Sequence, residues 1–224
     1  MTIFGHIKKF ILIFLKYASL VFFSLVAIIP LVSCVITAFK PDAEYNSTNV
    51  MTPPSSWLYF DNFVSAFQKA GMGRAFINST IILIAVLILS VFIGTQLAYV
   101  LNRFKFFGNT LIRNLFLVAC QLPGVAMQIA VYEMMYKLGF INNMFGYILM
   151  TCGTDVISIY IYIQFFENID YSLDESAIMD GASYFTIFYR ILLPLLKPAI
   201  VTACILKGVG TYNEYYNANL YLQD

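Results

Sequence analysis

The chain has 224 residues, of which 60% are hydrophobic and 11% are charged, and its mean hydropathy is +0.78. Soluble domains carry about 25% charged residues, so this composition excludes an ordinary soluble protein and indicates an integral membrane protein. A net charge of +1 provides no basic surface for a nucleic acid. The four cysteines stand in apolar stretches without paired spacing, which favours neither a disulfide framework nor a metal site.

The first half of the chain predicts two membrane-spanning helices separated by a long polar loop. The apolar runs at residues 11–39 and 76–101 are both longer than the roughly 20 residues that a helix needs to cross the hydrocarbon core. Between them, residues 40–74 hold three prolines, the only tryptophan and charges of both signs, so we predict an ordered external loop. Residues 1–10 form a short N-terminal segment, in which His6 is expected to be solvated rather than a ligand.

Two further spans are predicted to be broken. The apolar run at residues 115–135 is interrupted at Pro123, where a freed backbone carbonyl must be satisfied by protein or water rather than by lipid. Such a break favours either the wall of a transport pathway or a simple packing kink. The run at residues 141–166 contains Asp155 in its middle, so either this carboxylate faces a polar cavity or the embedded part begins later in the sequence.

A polar segment at residues 172–197 precedes the fifth predicted span at residues 199–216. Ser172 stands three positions before Glu175, the capping-box pattern that predicts the start of a helix. Gly181 supplies the permissive backbone that is expected to end this helix. Apolar positions at helical spacing then predict a second short helix before the next proline.

Basic residues indicate the orientation of the chain. The loop at residues 102–113 contains three basic residues and no acid. The positive-inside rule therefore places this loop in the cytoplasm, together with residues 1–10 and their two lysines. Counting the spans places the polar segment 172–197 on the same side of the membrane.

The polar segment resembles the EAA loop, E-A-A-x3-G-x9-I-x-L-P, of permease subunits in bacterial binding-protein-dependent ABC importers. Every anchor has the family spacing, and the one departure is a serine in place of the first alanine. The anchors are Glu175, Ser176, Ala177, Gly181, Ile191, Leu193 and Pro194. The loop before the second span, with Phe39-Lys40-Pro41 early and Asn62-Phe63 late, is similar to the first external loop of carbohydrate-uptake, maltose-permease-like members.

The resemblance implies an all-α helical bundle of the type I ABC importer permease fold, with residues 11–224 as one transmembrane domain in a bacterial cell membrane. Members of the family usually have six spans, so this sequence is expected to lack the last one, either as a fragment or through a frameshift or an early stop. Residues 172–197, which we call the EAA-like segment and which include Asp180, are expected to dock on a separate ATPase. The implied partners are a second permease subunit, an ABC ATPase dimer that binds ATP and Mg, an extracytoplasmic solute-binding protein and the bilayer.

This chain is expected not to be an enzyme and to bind no cofactor, since it has neither a phosphate-binding loop nor a catalytic triad. An alternative is a secondary transporter or channel subunit that uses the intramembrane charges Asp155 and Lys207 for ion coupling. Lys207 is expected to face protein or a polar pathway rather than lipid. Its conceivable partners are Asp155 or Glu214 in this chain, or a carboxylate of the second permease subunit, in which case it would only hold the interface. Aromatic and amide groups near the end of the fifth span suit a sugar or equally form an interfacial belt. The candidate pathway residues are Asp155, Lys207, Tyr212, Asn213 and Glu214.

Overall fold

The computed structural model of the chain describes residues 3–153 and 155–223, without the side chains of residues 3–8 and 125. The predictions for His6 and for a missing span lie outside this described part. Within it all regular structure is helical, which confirms the all-α prediction. The helices are α1 (Ile3–Ala38), α2 (Asp42–Ser47), α3 (Asp61–Lys69), α4 (Met72–Arg103), α5 (Asn109–Gln121), α6 (Gly124–Lys137), α7 (Met144–Gly153), α8 (Val156–Glu167), α9 (Ser172–Met179), α10 (Tyr184–Thr186), α11 (Leu193–Leu195), α12 (Lys197–Tyr212) and α13 (Tyr216–Tyr221), with a π-helix at Ile187–Leu192 between α10 and α11.

Two of these helices are long and apolar enough to cross a membrane alone, namely α1 from Lys9 to Ala38 and α4 over its whole length. Three further helix pairs pass the same test together but are bent at a short break. The bend is 108° between α5 and α6, 45° between α7 and α8, and 70° between the helix Tyr184–Leu195 and α12. By length and composition the described residues therefore hold two to five candidate spans. The fifth of them, if the bent pair is one span, begins at Tyr184 rather than at the predicted residue 199.

The breaks inside the third and fourth spans fall where the sequence predicts them. Leu122 has φ −71° and ψ 126°, the extended conformation that a following proline favours, and α6 begins directly after Pro123. At the other break, the Asp155 carboxylate accepts a hydrogen bond from the Ser158 backbone N–H at 3.5 Å and caps α8. Position 154, which belongs to the predicted break, lies outside the described residues.

The fifth span ends four residues earlier than residue 216, because polar side chains interrupt the helix. The Asn213 side-chain amide donates to the Val209 carbonyl at 2.9 Å, inside the last turn of α12. The Glu214 carboxylate accepts from the Asn217 N–H at 3.0 Å, at the start of α13. Such local bonds offer the backbone an alternative to continued helix, so α12 stops at Tyr212 and α13 starts separately.

The chain forms two compact units, Met1–Ala75 and Phe76–Asp224. In the second unit the main buried core joins the later half of α4 to α8, α9, the π-helix and α12. The contact between α4 and α8 is close, since a Cβ added at Gly94 would lie 3.0 Å from the Tyr162 ring. This core carries α9 and the π-helix on the ends of the membrane helices, and its largest members are Tyr99, Tyr162, Phe166 and Phe188.

Candidate functional site

The EAA-like segment begins as a helix that is closed by Gly181. This glycine has φ +83°, a left-handed conformation that favours glycine. Its N–H donates to the Ile178 carbonyl at 2.9 Å, and the Ala182 N–H donates to the Ala177 carbonyl at 2.9 Å. These two bonds are the Schellman pattern of helix termination, so the predicted helix end at Gly181 is confirmed.

The predicted capping box at Ser172 and Glu175 is wrong. Ser172 is the first residue of α9 rather than its cap, and Tyr171 before it makes no side-chain capping bond. Instead the Asp170 carboxylate accepts from the Ser172 N–H at 2.9 Å, and this bond lowers the pKa of Asp170. The Asp170 carboxylate thus binds the backbone N–H at the start of α9, the role that the capping box assigned to Ser172 and Glu175. Glu175 is instead exposed on the helix surface.

The second helix of the segment starts as predicted but continues beyond the predicted short helix. The Ser183 hydroxyl oxygen caps α10 by accepting from the Thr186 N–H at 3.3 Å. The chain then runs through the π-helix into α11, where Pro194 stands in the first turn and needs no N–H. The predicted short helix is therefore the first arm of a helix pair, Tyr184–Leu195 and α12, that is bent by 70°.

A buried ion pair ties the EAA-like segment to the end of α4. Arg103 Nη2 lies 3.2 Å from Asp174 Oδ2, and the two side chains are 8% and 6% exposed. The same nitrogen donates to the Ile169 carbonyl at 3.0 Å, and the guanidinium carbon lies 5.5 Å from the centroid of the Tyr171 ring. Burial raises the pKa of Asp174, and the neighbouring Arg103 opposes this shift. We call these contacts the Arg103 clamp.

Sequence reasoning missed the clamp, although two signals for it were present. Arg103 ends the second span, and Asp174 stands in a segment that the span count places on the same side. A second pair agrees with this arrangement, because Arg113 Nη2 of α5 lies 2.7 Å from Glu167 Oε1 at the end of α8. The basic loop 102–113 and the EAA-like segment therefore share one side of the second unit.

The predicted anchor residues take different positions in the segment. Glu175, Asp180 and Pro194 are exposed, while Ala177 is buried and Ile191 and Leu193 are half-buried. The Ser176 hydroxyl donates to the Ser172 carbonyl at 2.8 Å within α9. Large apolar side chains also remain exposed next to the two carboxylates, namely Met179, Tyr184 and Phe185. The segment thus presents a mixed acidic and apolar surface.

Within the described part of this chain, Lys207 binds a backbone carbonyl and pairs with neither Asp155 nor Glu214. Lys207 Nζ donates to the Thr151 backbone carbonyl at 2.8 Å, and no ion pair among the described residues includes this lysine. Because α7 ends at Gly153, its last carbonyls lack intrahelical partners. An ammonium group at a helix C-terminus also interacts favourably with the helix dipole. The break in the fourth span therefore supplies the acceptor.

The other candidate pathway residues form no ion pair with Lys207 in the described part of the chain. One carboxylate oxygen of Asp155 is buried without a hydrogen-bond partner in the described part of the chain. Tyr212 and Asn213 are exposed, and Glu214 is half-buried beside its own helix start. No cluster of three or more metal-ligating side chains occurs among the residues that the structure describes.

Residues 87–220 match the sequence family described as binding-protein-dependent transport system inner membrane component. The chain belongs to this family. The match covers more than half of the chain and includes the Arg103 clamp and the whole EAA-like segment. The predicted family is therefore confirmed, and membership with several apolar helices makes the chain a multi-pass membrane protein and a transport component.

Several curated proteins are similar to this family member over most of its length. The probable ABC transporter permease protein YurM of Bacillus subtilis is 33% identical over 87% of this chain and 64% of its own length. The probable starch degradation products transport system permease protein AmyC of Thermoanaerobacterium thermosulfurigenes is 31% identical over 94% of this chain and 74% of its own. The diacetylchitobiose uptake system permease protein NgcG of Streptomyces coelicolor is 27% identical over 90% of this chain and 66% of its own.

The fold is shared with a solved structure. A chain from the crystal structure of a bacterial ABC transporter involved in the import of the acidic polysaccharide alginate superposes with a TM-score of 0.78. The superposition covers 97% of this chain and 76% of that chain at 22% identity. This likeness confirms the permease-like helical fold.

Proposed function

We propose that this chain is a transmembrane permease subunit of an ATP-driven ABC importer that takes up sugars or oligosaccharides. The observation that carries the proposal is the EAA-like segment, a helix closed at Gly181 that presents Glu175 and Asp180 and is fixed to α4 by the Arg103 clamp. The substrate class is supported by relatives named for starch degradation products, arabinooligosaccharides and melibiose/raffinose/stachyose.

In this proposal the chain itself binds no nucleotide. An ABC ATPase dimer binds ATP and Mg, a second permease subunit completes the membrane body, and an extracytoplasmic solute-binding protein delivers the substrate. Residues 11–224 form the transmembrane domain, within which residues 172–197 are a cytoplasmic loop that faces the ATPase. Residues 1–10 are a cytoplasmic N-terminal segment. The anchors Glu175, Ser176, Ala177, Asp180, Gly181, Ile191, Leu193 and Pro194 form or support the docking surface.

The geometry provides a route by which ATPase closure reaches the membrane helices. Movement of α9 would be passed to α4 through the Arg103 clamp, since a buried ion pair holds both ends of the contact. It would reach α8 and α12 through the shared core, in which Ala177 of α9 and Leu196 are buried together. A ligand-driven change of this kind requires contacts that differ between two ATPase states.

For the pathway we propose the polar positions near the broken fourth span and the end of α12. Lys207 and Asp155 lie at the break, and Tyr212, Asn213 and Glu214 follow along α12 and its end. A Lys207→Cys variant in the assembled complex should react with a membrane-impermeant thiol reagent if the position lines a water-filled path. Unreactive cysteine in both ATP-bound and ATP-free complexes would contradict this assignment.

The decisive experiment is nucleotide dependence. The chain, its companion permease and an ABC ATPase are reconstituted into vesicles with a solute-binding protein, and uptake of labelled oligosaccharides is measured. Uptake should require ATP and stop when the ATPase is omitted. Uptake driven by an ion gradient without ATP would instead support the secondary-transporter alternative, which the carbonyl-bound Lys207 does not favour.

A further inference from the structure

The short helix α3 has one apolar face that the rest of the first unit leaves largely exposed. Phe60, Phe63, Val64 and Phe67 recur at the i, i+3, i+4, i+7 spacing of a single helical stripe. Phe63, Val64 and Phe67 are 46%, 52% and 52% exposed. The polar residues of α3 share the opposite face and are Asp61, Asn62, Ser65, Gln68 and Lys69.

The polar face of α3 is fastened to the end of α1. The Asn62 side-chain amide donates to the Ala38 carbonyl at 3.0 Å and to the Lys40 carbonyl at 2.7 Å. Ala38 is the last residue of α1 and Lys40 lies just beyond it, so these carbonyls would otherwise lack helical partners. Since one side chain holds both, the start of α3 is fixed at the level where α1 ends.

The apolar stripe is continuous with the surface of α1. The Phe39 ring, one residue beyond α1, lies 5.7 Å from the Phe60 ring and 5.2 Å from the Phe63 ring between centroids. It also lies 5.6 Å from Trp57, the only tryptophan of the chain. Leu58 beside this tryptophan is 80% exposed. An exposed aromatic patch thus begins where a membrane helix ends.

The loop around α3 is held in place by its own polar bonds. Lys40 is 1% exposed, and its Nζ donates to Thr48 Oγ1 at 3.0 Å and to the Asn49 carbonyl at 2.8 Å. The Glu44 carboxylate accepts from the N–H and the hydroxyl of Ser55 at 2.8 and 2.7 Å. Because these hydrogen bonds order the loop, the apolar stripe is exposed in a defined conformation.

We propose that α3 lies in the interface of the lipid bilayer, with its stripe of Phe60, Phe63, Val64 and Phe67 inserted at the boundary between headgroups and acyl chains. Amphipathic helices bind in this way, and tryptophan gathers at the same depth. Both ends of α3 are tied to membrane helices, because α1 ends where Asn62 binds and α4 begins at Met72. The bilayer that surrounds α1 therefore extends directly onto the stripe.

The charge of α3 indicates which lipid is required. Its charged residues are Asp61 and Lys69, which balance each other. Electrostatic attraction to anionic lipid therefore contributes little, and zwitterionic lipid should suffice. This inference rests on the membrane location of α1 and is independent of ATP coupling.

The test uses single-tryptophan variants of the full chain in phosphatidylcholine vesicles. In a Trp57→Phe background, Phe63→Trp reports the stripe and Ser65→Trp reports the opposite face as a matched control. Brominated acyl chains should reduce the emission of Phe63→Trp and leave Ser65→Trp unchanged, whereas aqueous acrylamide should quench them in the reverse order. In the unmodified chain Trp57 is the only tryptophan, and brominated acyl chains should reduce its emission as well.

Two outcomes would overturn the placement of the stripe in the bilayer interface, and a third would overturn the predicted lipid requirement. Acrylamide quenching of both variants to the same extent would place the stripe in water. Protection of Phe63→Trp from both quenchers would show that protein covers the stripe. If the inference holds, replacing part of the phosphatidylcholine by phosphatidylglycerol should not change lipid quenching, and quenching that appears only with the anionic lipid would contradict the predicted role of zwitterionic lipid.

Discussion

The loop at residues 40–71 and the EAA-like segment both bury a cation near the end of a long helix, but they hold it differently. Lys40 follows α1 and is bound by neutral oxygens of Thr48 and Asn49, within nine residues. Arg103 ends α4 and is bound by a carboxylate 71 residues later in the sequence. A local bond orders its own loop, whereas a long-range ion pair joins separate helices, so only the Arg103 clamp can pass movement between elements.

Removing the clamp should give the largest effect. Replacing Arg103 with methionine should lower the free energy of unfolding of the second unit by about 3 to 5 kcal/mol, because the buried Asp174 carboxylate loses its partner. Chemical denaturation in detergent micelles measures the loss. An R103M/D174L double variant should recover much of it, since an apolar pair replaces a buried ion pair at low cost.

The matched control for this prediction is Arg113→Met. The pair that Arg113 forms with Glu167 is one third to one half exposed, so its loss should cost at most about 1 kcal/mol. Equal losses for the Arg103 and Arg113 variants would contradict the buried role of the clamp.

Removing the Lys40 ammonium group should have a smaller effect on stability, and one confined to the loop at residues 40–71. Replacing Lys40 with methionine removes hydrogen bonds from a charged donor, which are worth about 1.5 to 3 kcal/mol. The loss should appear as faster proteolysis within residues 40–71, and unfolding of the second unit should not change. A destabilised second unit would show that the effect of the Lys40 hydrogen bonds is not confined to the loop.

Two left-handed glycines allow a direct comparison of the two connectors. Gly71 has φ +58° and Gly181 has φ +83°, and a Cβ at either position would meet no atom within 4 Å. Alanine should therefore cost roughly 1 to 2 kcal/mol at each site through backbone strain alone. Only Gly181→Ala should raise the number of ATP molecules hydrolysed per sugar transported in the reconstituted complex. Equal coupling in both variants would argue against docking at the EAA-like segment.

The smallest expected effect is on the pH dependence of stability, which has opposite signs in the loop at residues 40–71 and in the EAA-like segment. The hydrogen bond from the Ser55 hydroxyl holds the pKa of Glu44 below its usual 4.5, so this carboxylate stabilises the loop above that pH and the effect is lost on acidification. Burial raises the pKa of Asp174 above 3.8. The contribution of this pKa shift to the free energy of unfolding is therefore present in acid and is lost as the pH rises. Hydrogen exchange at the Ser55 amide should quicken below pH 4.5 beyond its intrinsic change. A Glu44→Gln variant that quickens equally would contradict this.

The sequence by itself determined the class and plan of the protein. Five apolar runs, the breaks near Pro123 and Asp155 and the helix end at Gly181 follow from local chemistry: chain hydropathy, a missing N–H, a short capping carboxylate and a backbone that needs no Cβ. The family followed from fixed spacing around Glu175. Each of these features depends on residues that are close in sequence, and so they could be predicted without coordinates.

Only the tertiary structure decided which groups satisfy one another. The capping box at Ser172 failed because Asp170 reaches the helix start first, and Lys207 found the Thr151 carbonyl rather than a carboxylate. The Arg103 clamp depends on two segments that meet only when α4, α8 and α9 share a core. Competing partners differ little in sequence pattern, and packing selects among them because a buried polar group must take the acceptor that lies within its reach.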